Sequence, residues 1–320
     1  PWKSLGDRLL TTDDIFEQED LPASMAVIGL GTIGLELGQS LSRLGVEVTG
    51  FDQQETIGGV TDPEVCTCAK EIHGKELPLH LGQAAEIVTE GDRLRVTAGE
   101  ASVVVDKVLC SIGRTPNLDR LALENLGVPL DERGLPAFDN RTMQVGDLPV
   151  YIAGDVTGER PILHEAGDEG KIAGYNAARG ERAAFRRKTP LYINFCDPNI
   201  CAVGTRFAEL DPETSAMGQI NFAPVGRALI MGKNKGVLRV YAGRASGRLL
   251  GAEMIGPKGE NLAHLLCWCI EQGLTVGDLL RMPFYHPVIE EALQAALYDL
   301  YGKVDAKNTG GLVELERLGS

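Results

Sequence analysis

The sequence predicts an α/β protein that begins with a parallel sheet and continues into a separate α+β layer. Residues 25–52 read as strand, helix and strand, because the apolar run Met25–Ile28 precedes apolar residues at helical spacing. Those residues are Ile33, Leu37, Leu41 and Leu44. A β-α-β start implies parallel strands joined by a right-handed crossover. In residues 189–306, strand-like runs precede helical runs, which is typical of an α+β arrangement.

Composition and charge exclude several classes of protein. The 320 residues are 43% hydrophobic and 24% charged, which is ordinary for a globular protein and too apolar for a disordered one. The formal net charge of -14 disfavours binding to nucleic acid or to anionic membranes. Apolar runs all stay below about 18 residues, the length that a membrane-spanning helix needs. The 39 glycines favour tight turns and phosphate-binding loops over a helical bundle.

Shorter elements are predicted along the rest of the chain. Strands are predicted at 46–51, 77–85, 94–98, 101–112, 149–153, 219–232, 236–242 and 248–255. Helices are predicted at 162–179, 259–272 and 287–301. Residues 186–190 read as a linker, and the polar residues from 305 onward read as a tail. We expect four segments, at 1–114, 115–188, 189–306 and 307–320.

A glycine-rich turn separates the first strand from the first long helix. Gly29, Gly31 and Gly34 fit the G-x-G-x-x-G pattern of Rossmann-like dinucleotide sites. The first glycine allows the tight turn, the second lets a pyrophosphate approach the backbone, and the third lets helix and strand pack closely. Asp52 ends the second strand, where a carboxylate accepts hydrogen bonds from the ribose hydroxyls of NAD and repels the 2′-phosphate of NADP. The first segment is therefore predicted to bind NAD.

Two further acidic residues each admit two interpretations. Glu36 lies two residues after Gly34, where it either complements the helix dipole or contacts a ligand. Asp155 follows Gly154 directly after the apolar run 149–153. At the end of a strand it can bond a chain of sugar-like hydroxyls, or it can simply form a turn.

A histidine and a glutamate near the end of the chain are also open to two interpretations. Pro287 suits the first position of a helix, and acidic residues in the first turn suit its dipole. A helix that starts at Pro287 explains Pro287 and the acidic residues after it, but it does not explain His286. The alternative is a pair in which Glu291 fixes the tautomer of His286 for proton transfer.

Seven cysteines without a secretion signal predict a cytoplasmic protein, because a reducing compartment keeps thiols free. Three pairs lie close in sequence: Cys66/Cys68, Cys267/Cys269 and Cys196/Cys201. The first two could offer thiolates to zinc, but positions two apart on a helix point to different faces, so we predict no metal site. The third has the spacing of a redox pair, but Asp197–Asn199 between its members indicates a turn.

Five segments, taken in order, resemble the flavin disulfide reductase family and within it the dihydrolipoamide dehydrogenases. They are Val27–Gly38, Ile112–Asn117, Tyr151–Val156, Leu250–Pro257 and His286–Pro287. The resemblance covers residues 5–302 and corresponds to the C-terminal two-thirds of those enzymes. It implies an oxidoreductase that passes electrons from a dithiol to a disulfide, then to FAD and then to NAD. It also implies a homodimer and a lipoyl-bearing substrate protein.

The resemblance implies roles for individual residues. Those that hold NAD are Gly29, Gly31, Gly34, Glu36, Asp52, Ala84 and Gly113, with Glu36 at the nicotinamide amide. Those beside FAD, in a remnant of the FAD domain, are Arg114, Gly154, Asp155 and Leu163. Asp155 bonds the ribityl-phosphate region. Residues 189–302 form the interface domain, in which His286 and Glu291 serve the disulfide of the other subunit.

Two features depart from the family pattern. The family's N-terminal FAD domain, with its own glycine-rich turn and redox cysteines, has no counterpart in the sequence, so the FAD site is incomplete. Val288 stands where the family has threonine in H-P-T-x-x-E. The chain begins PWKSLGDR, without methionine, which favours a processed chain or a fragment that is inactive alone. The alternatives are a non-catalytic NAD-binding and dimerisation module, or a related reductase with another disulfide or quinone acceptor.

Overall fold

A computed structural model describes residues 2–307 and 312–315. Contacts group the chain into two units, one of Pro1–Ile112 with Thr189–Ser320 and one of Gly113–Lys188. The tail predicted over 307–320 lies mostly outside the described residues. Among the helices that are described, none is both long and apolar enough to cross a membrane.

The first unit contains all of the regular strands. They are β1 (Leu9–Leu10), β2 (Ser24–Ile28), β3 (Glu47–Asp52), β4 (Leu79–Leu81), β5 (Glu86–Glu90), β6 (Arg93–Ala98), β7 (Ala101–Val105), β8 (Lys107–Cys110), β9 (Leu191–Asn194), β10 (Asn199–Gly204), β11 (Ser215–Asn221), β12 (Val237–Gly243) and β13 (Leu249–Gly256). The α-helices are α1 (Thr12–Ile15), α2 (Thr32–Arg43), α3 (Pro63–His73), α4 (Leu163–Arg179), α5 (Gly226–Ile230), α6 (Gly259–Glu271), α7 (Val276–Leu280) and α8 (Glu291–Tyr301). Helix α4 lies in the second unit.

A five-stranded parallel sheet positions the glycine-rich turn. Its order is β1-β8-β2-β3-β4, and every neighbouring pair is parallel. Strand β2 is buried at all of its positions, as expected for a central strand of a parallel sheet. On either side of β2 lie β3, which follows it in sequence, and β8, which comes much later. The strand order therefore reverses at β2, which confirms the Rossmann-like prediction. Ligands of such sheets bind at the carboxyl ends of the strands where the order reverses.

A second, antiparallel sheet forms the α+β layer predicted after residue 189. Its order is β11-β12-β13-β10-β9. Helix α6 packs on β10 and β13, and α8 packs on β11 and β12. An added Cβ at Gly218 in β11 would lie 2.3 Å from the Ala296 carbonyl oxygen, so α8 can approach this closely only because residue 218 is glycine.

Several predicted elements need correction. Residues 219–232 are not one strand, because β11 ends at Asn221 and residues 226–230 form the short helix α5. Apolar content alone does not separate a short strand from a short helix. Residues 149–153 form only an isolated bridge, between Gln144 and Tyr151. Helix α3 and strand β5 were not predicted, although Asp62-Pro63 is a good helix start and the Asp62 carboxylate accepts from the Glu64 N–H at 3.0 Å.

A buried network of charges ties α3 to the antiparallel sheet. Glu253 in β13 is fully buried and accepts hydrogen bonds from the backbone N–H groups of Thr61 (2.7 Å) and Asp62 (2.9 Å). The Asp62 carboxylate in turn accepts from the Tyr241 hydroxyl at 2.7 Å and lies 2.8 Å from Arg239 Nε. Buried charges are tolerated when they are paired and hydrogen-bonded in this way. The parallel and antiparallel sheets are therefore joined within one unit.

His73, in the last turn of α3, should make the stability of the protein depend on pH. Its ring is fully buried and neither nitrogen has a hydrogen-bond partner among the described residues. Burial lowers its pKa to about 4, with Arg43 adding to the effect and Glu76 and Asp197 opposing it. Between about pH 6.5 and pH 4 only the unfolded chain takes up this proton, so the free energy of unfolding should fall by about 3 kcal/mol as pH falls.

Urea unfolding at pH 7.5, 5.5 and 4.5 measures this dependence. His73→Leu removes the titrating group, so its stability should fall less over the same range than that of the wild type. The exposed His264 provides the matched control, and His264→Leu should keep the wild-type dependence. A variant at residue 73 whose stability falls as steeply as that of the wild type would assign the effect to other groups.

Candidate functional site

The three glycines of the turn between β2 and α2 each meet a different environment. Gly29 has φ of +91°, and an added Cβ would lie 2.6 Å from the Ser111 carbonyl oxygen. At Gly34 an added Cβ would lie 1.8 Å from the Gly29 carbonyl oxygen. At Gly31 it would meet nothing within 4 Å. The turn is therefore closed on the protein side and open at Gly31, which fits a pyrophosphate lying over the amino end of α2.

Asp52 is anchored beside this turn. One carboxylate oxygen accepts the Leu30 N–H at 2.6 Å, and the other accepts the Gln54 N–H at 2.8 Å. Each oxygen keeps a further lone pair, and the side chain is partly exposed. The carboxylate is thus held beside the turn, and both of its oxygens can accept further hydrogen bonds.

Glu36 lies on α2, and its carboxylate faces the segment after β9. Oε1 accepts the backbone N–H of Phe195 at 2.6 Å. One turn earlier, Thr32 Oγ1 makes a short hydrogen bond to the hydroxyl of Tyr192. These contacts bring residues of the antiparallel layer to the glycine-rich turn. Residue spacing gave no signal for Tyr192 or Phe195, because about 160 residues separate them from their partners.

Two other residues predicted to contact NAD lie outside the turn between β2 and α2. Ala84 is exposed between β4 and β5, three residues after Leu81, which pairs with Asp52 in the sheet. Gly113 has φ of +111° and opens the second unit. Neither makes a contact that defines a binding role.

In the second unit, the turn before α4 is held by a buried glutamate. Gly154 has φ of +94°, and its N–H donates to Glu169 Oε2 at 2.8 Å. Asp155 is paired with Arg114 at 2.7 Å and is half-exposed. Leu163, the first residue of α4, is 88% exposed. Glu169 was not predicted as a functional residue, although an acidic residue amid the apolar positions of a helix was a usable signal.

The predicted linker 186–190 spans the division between the two units, but Arg187 within it is packed and paired. Its guanidinium lies 2.5 Å from Glu165 and 3.0 Å from Glu169, and both carboxylates are almost fully buried. Arg187 is therefore part of the packed structure of the second unit, which ends at Lys188. In the sequence, a run of basic residues looks like a solvated linker. Only the position of Glu165 and Glu169 on α4 shows that Arg187 is packed against acidic partners.

The proposed pair of His286 and Glu291 is present. His286 Nδ1 lies 2.8 Å from Glu291 Oε1, and the Val288 N–H donates to Glu291 Oε2 at 3.0 Å. Both bonds lower the pKa of Glu291, the bond from His286 most. Since the backbone at 288 makes this contact, valine in place of threonine leaves it intact. The imidazole is 78% exposed, so its other nitrogen is accessible.

The predicted helix start at Pro287 is wrong. Helix α8 begins at Glu291, and Glu290 is its N-cap. His286 and Pro287 lie in a bend before the helix. Glu291 bonds the N–H of Val288, so these residues form a connected loop at the helix entry rather than its first turn.

Comparison with known proteins identifies the family. Residues 3–170 match the pyridine nucleotide-disulphide oxidoreductase family, and residues 191–297 match the dimerisation domain of the same family. The chain belongs to the pyridine nucleotide-disulphide oxidoreductases. The two matches together cover the parallel sheet, the antiparallel five-stranded sheet, the glycine-rich turn, the turn at Gly154 and the pair of His286 and Glu291.

Relatives and solved structures agree with this family. A dihydrolipoyl dehydrogenase of Haloferax volcanii is 32% identical over 95% of this chain and 66% of its own length. One of Thermus scotoductus is 33% identical over 89% of the chain and 63% of its length. The chain thus spans just under two-thirds of these relatives. The flavoprotein disulfide reductase RclA of Escherichia coli has a similar fold, with a TM-score of 0.80, 22% identity, and coverage of 92% of this chain and 68% of its own.

The cysteines of this pyridine nucleotide-disulphide oxidoreductase chain are all free. Cys196 and Cys201 are buried, and burial raises the pKa of both thiols well above the usual range. A raised pKa opposes the thiolate form that redox exchange needs, so this pair suits packing and not electron transfer. Within residues 2–307 and 312–315, no cluster of three or more potential ligands could hold a metal ion.

Proposed function

We propose that this chain carries the NAD-binding and interface portions of a flavin-dependent disulfide oxidoreductase similar to the dihydrolipoyl dehydrogenases. The observation that supports this most is the glycine-rich turn, which is open at Gly31 and has the Asp52 carboxylate anchored beside it. The relatives named dihydrolipoyl dehydrogenase support the same proposal along nearly the whole chain.

The glycine-rich turn and α2 bind the dinucleotide. Backbone N–H groups in the first turn of α2 and the positive end of its dipole face the pyrophosphate. Asp52 accepts from the adenosine ribose hydroxyls and repels a 2′-phosphate. Glu36 accepts from the nicotinamide amide, and the backbone at Ala84 and Gly113 borders the dinucleotide.

The residues around Gly154 fit one end of FAD, which when bound supplies electron transfer between a disulfide and NAD. Asp155 keeps one carboxylate oxygen free of its bond to Arg114 and accepts from the ribityl hydroxyls. The exposed amino end of α4 at Leu163 presents N–H groups to the electron-rich edge of the ring. Glu169 holds Gly154 and so orients this turn.

His286 and Glu291 handle protons. A dithiol reacts as its thiolate, so a base must take the proton and later return it. The exposed imidazole of His286 does this, and Glu291 stabilises the imidazolium that forms. In the proposed homodimer, formed through residues 189–302, this pair serves the other subunit, with a lipoyl-bearing protein as substrate. Seven free cysteines suit a cytoplasmic location.

Asp52 should make the protein select NADH over NADPH. We expect calorimetric titration of the wild type to show at least about tenfold tighter binding of NADH, because the carboxylate repels the 2′-phosphate. Asp52→Asn removes the charge but keeps one oxygen acceptor, so the preference should shrink by about tenfold.

Glu47→Gln is the matched control, because it removes a carboxylate from the exposed opposite end of the same strand, β3. Its preference should equal that of the wild type. Equal affinity of the wild type for NADH and NADPH would remove Asp52 from this role, and binding of neither nucleotide would overturn the proposed function.

A further inference from the structure

A cavity of about 290 Å³ lies in the second unit, and none of the residues proposed to hold NAD or FAD lines it. Its walls are the face of α4 that carries Asp168, Ile172 and Tyr175, and residues 185–188 at the end of the unit. The volume is close to the lower end of the range of about 300–1,000 Å³ that is usual for small-molecule sites. The cavity is therefore large enough for a ligand of one or two rings.

Two aromatic rings form the apolar part of this cavity. Tyr175 and Phe185 meet edge to face, with ring centroids 5.2 Å apart and 81° between the ring planes. Arg179 lies over the Tyr175 ring at 4.3 Å, and the Phe185 N–H donates to the Arg141 carbonyl oxygen at 3.0 Å, so both rings are held in place. The two residues are still 38% and 37% exposed. A planar ligand can therefore pack against rings whose positions are already fixed.

Positive charge is in excess around the same cavity. Lys171 and Lys188 share the single carboxylate of Asp168, at 3.2 and 2.7 Å. These bonds, the one from Lys188 most, lower the pKa of Asp168, so it stays ionised at neutral pH. Arg186 adds a further cation to the lining, whereas Arg187 is already paired with two glutamates. A local excess of cations attracts an anion, even in a protein with a net charge of -14.

We propose that this cavity binds a small aromatic carboxylate, with its ring against Tyr175 and Phe185 and its charge directed to Lys171 and Arg186. A neutral ring would use only the apolar wall and leave the excess of cations without a counter-ion. A phosphate carries more charge than a carboxylate and would lose more hydration beside the two rings. The single charge of a carboxylate on a flat apolar body matches both parts of the lining. The proposal adds a ligand to those of the proposed function.

Calorimetric titration of the chain with 2-naphthoate and with its uncharged analogue 2-naphthamide tests both parts of the site. The wild type should bind 2-naphthoate about tenfold more tightly than the amide, because the cations favour only the anion. Lys171→Gln should raise the Kd of 2-naphthoate about two- to fivefold and leave that of the amide unchanged. Phe185→Leu keeps an apolar side chain but removes the ring, so it should raise both Kd values about threefold.

Arg120→Gln is the matched control, because it removes an exposed cation of the second unit that does not line the cavity. It should change neither Kd. Hydrogen exchange over residues 168–188 should slow when 2-naphthoate is bound, and slowing confined to other segments would place the ligand elsewhere and overturn the proposal. Equal affinity of the wild type for the two ligands, or binding of neither, also overturns it. An effect of Arg120→Gln as large as that of Lys171→Gln would assign the binding to overall charge and not to this cavity.

Discussion

Replacing His286 with glutamine in a full-length, FAD-loaded protein that also carries the family's redox disulfide should lower the dithiol-dependent reduction of NAD by about 10²–10⁴-fold, the range typical of general acid–base catalysis. Glutamine keeps a similar size and can hydrogen-bond, but it cannot take the proton. Since the side chain is 78% exposed, the substitution should leave folding nearly unchanged. The measurement is NADH formation from dihydrolipoamide under saturating NAD.

Electron transfer from NADH to ferricyanide through the flavin needs no dithiol proton, so His286→Gln should leave it nearly unchanged. His264→Gln, at an exposed histidine on α6, should leave both reactions unchanged. Glu291→Gln should lower only the rate of the dithiol reaction. It removes the negative charge that stabilises the protonated ring of His286, but it leaves His286 able to accept a proton. If the dithiol and ferricyanide activities of His286→Gln fall together, the residue is structural and the pair has no proton-transfer role.

Replacing Arg187 with leucine should destabilise the second unit by about 3–5 kcal/mol, because it leaves two buried carboxylates without their shared partner. Glu165 and Glu169 are both almost fully buried, and Arg187 lies within 3.0 Å of each. Urea unfolding measures the change, and hydrogen exchange over residues 113–188 localises it. Exchange at the Gly154 amide should rise most, since Glu169 holds it.

Arg182 offers a matched comparison in the same unit, because its ion pair with Asp147 is exposed. Arg182→Leu should cost no more than about 1 kcal/mol. Adding Glu165→Gln and Glu169→Gln to Arg187→Leu should recover part of the loss, since neutral amides are cheaper to bury than unpaired charges. Arg160 lies 3.0 Å from Glu165. A stability of Arg187→Leu within about 1 kcal/mol of the wild type would show that water or Arg160 compensates for the lost partner of the glutamates.

The features that could be predicted from sequence depend on short-range rules. The spacing of Gly29, Gly31 and Gly34 between a strand and a helix is a local pattern, and the glycines were correctly assigned to the turn. His286 and Glu291 are five residues apart, so their pairing was also within reach of sequence reasoning. The helix start at Pro287 was predicted wrongly, because the carboxylate of Glu291 captures a backbone N–H that lies before the helix.

The sequence by itself determined the fold class and the position of the glycine-rich turn, because each depends on residue type and periodicity over a few tens of residues. Five motifs in order also gave the resemblance to the family. Only the tertiary structure revealed that Phe195 bonds Glu36, that Glu253 supports Thr61 and that Arg187 pairs with two buried glutamates. The first two contacts span 159 and 192 residues. Such contacts form when packing of the two sheets brings distant segments together and removes their polar groups from water, where each must find a partner.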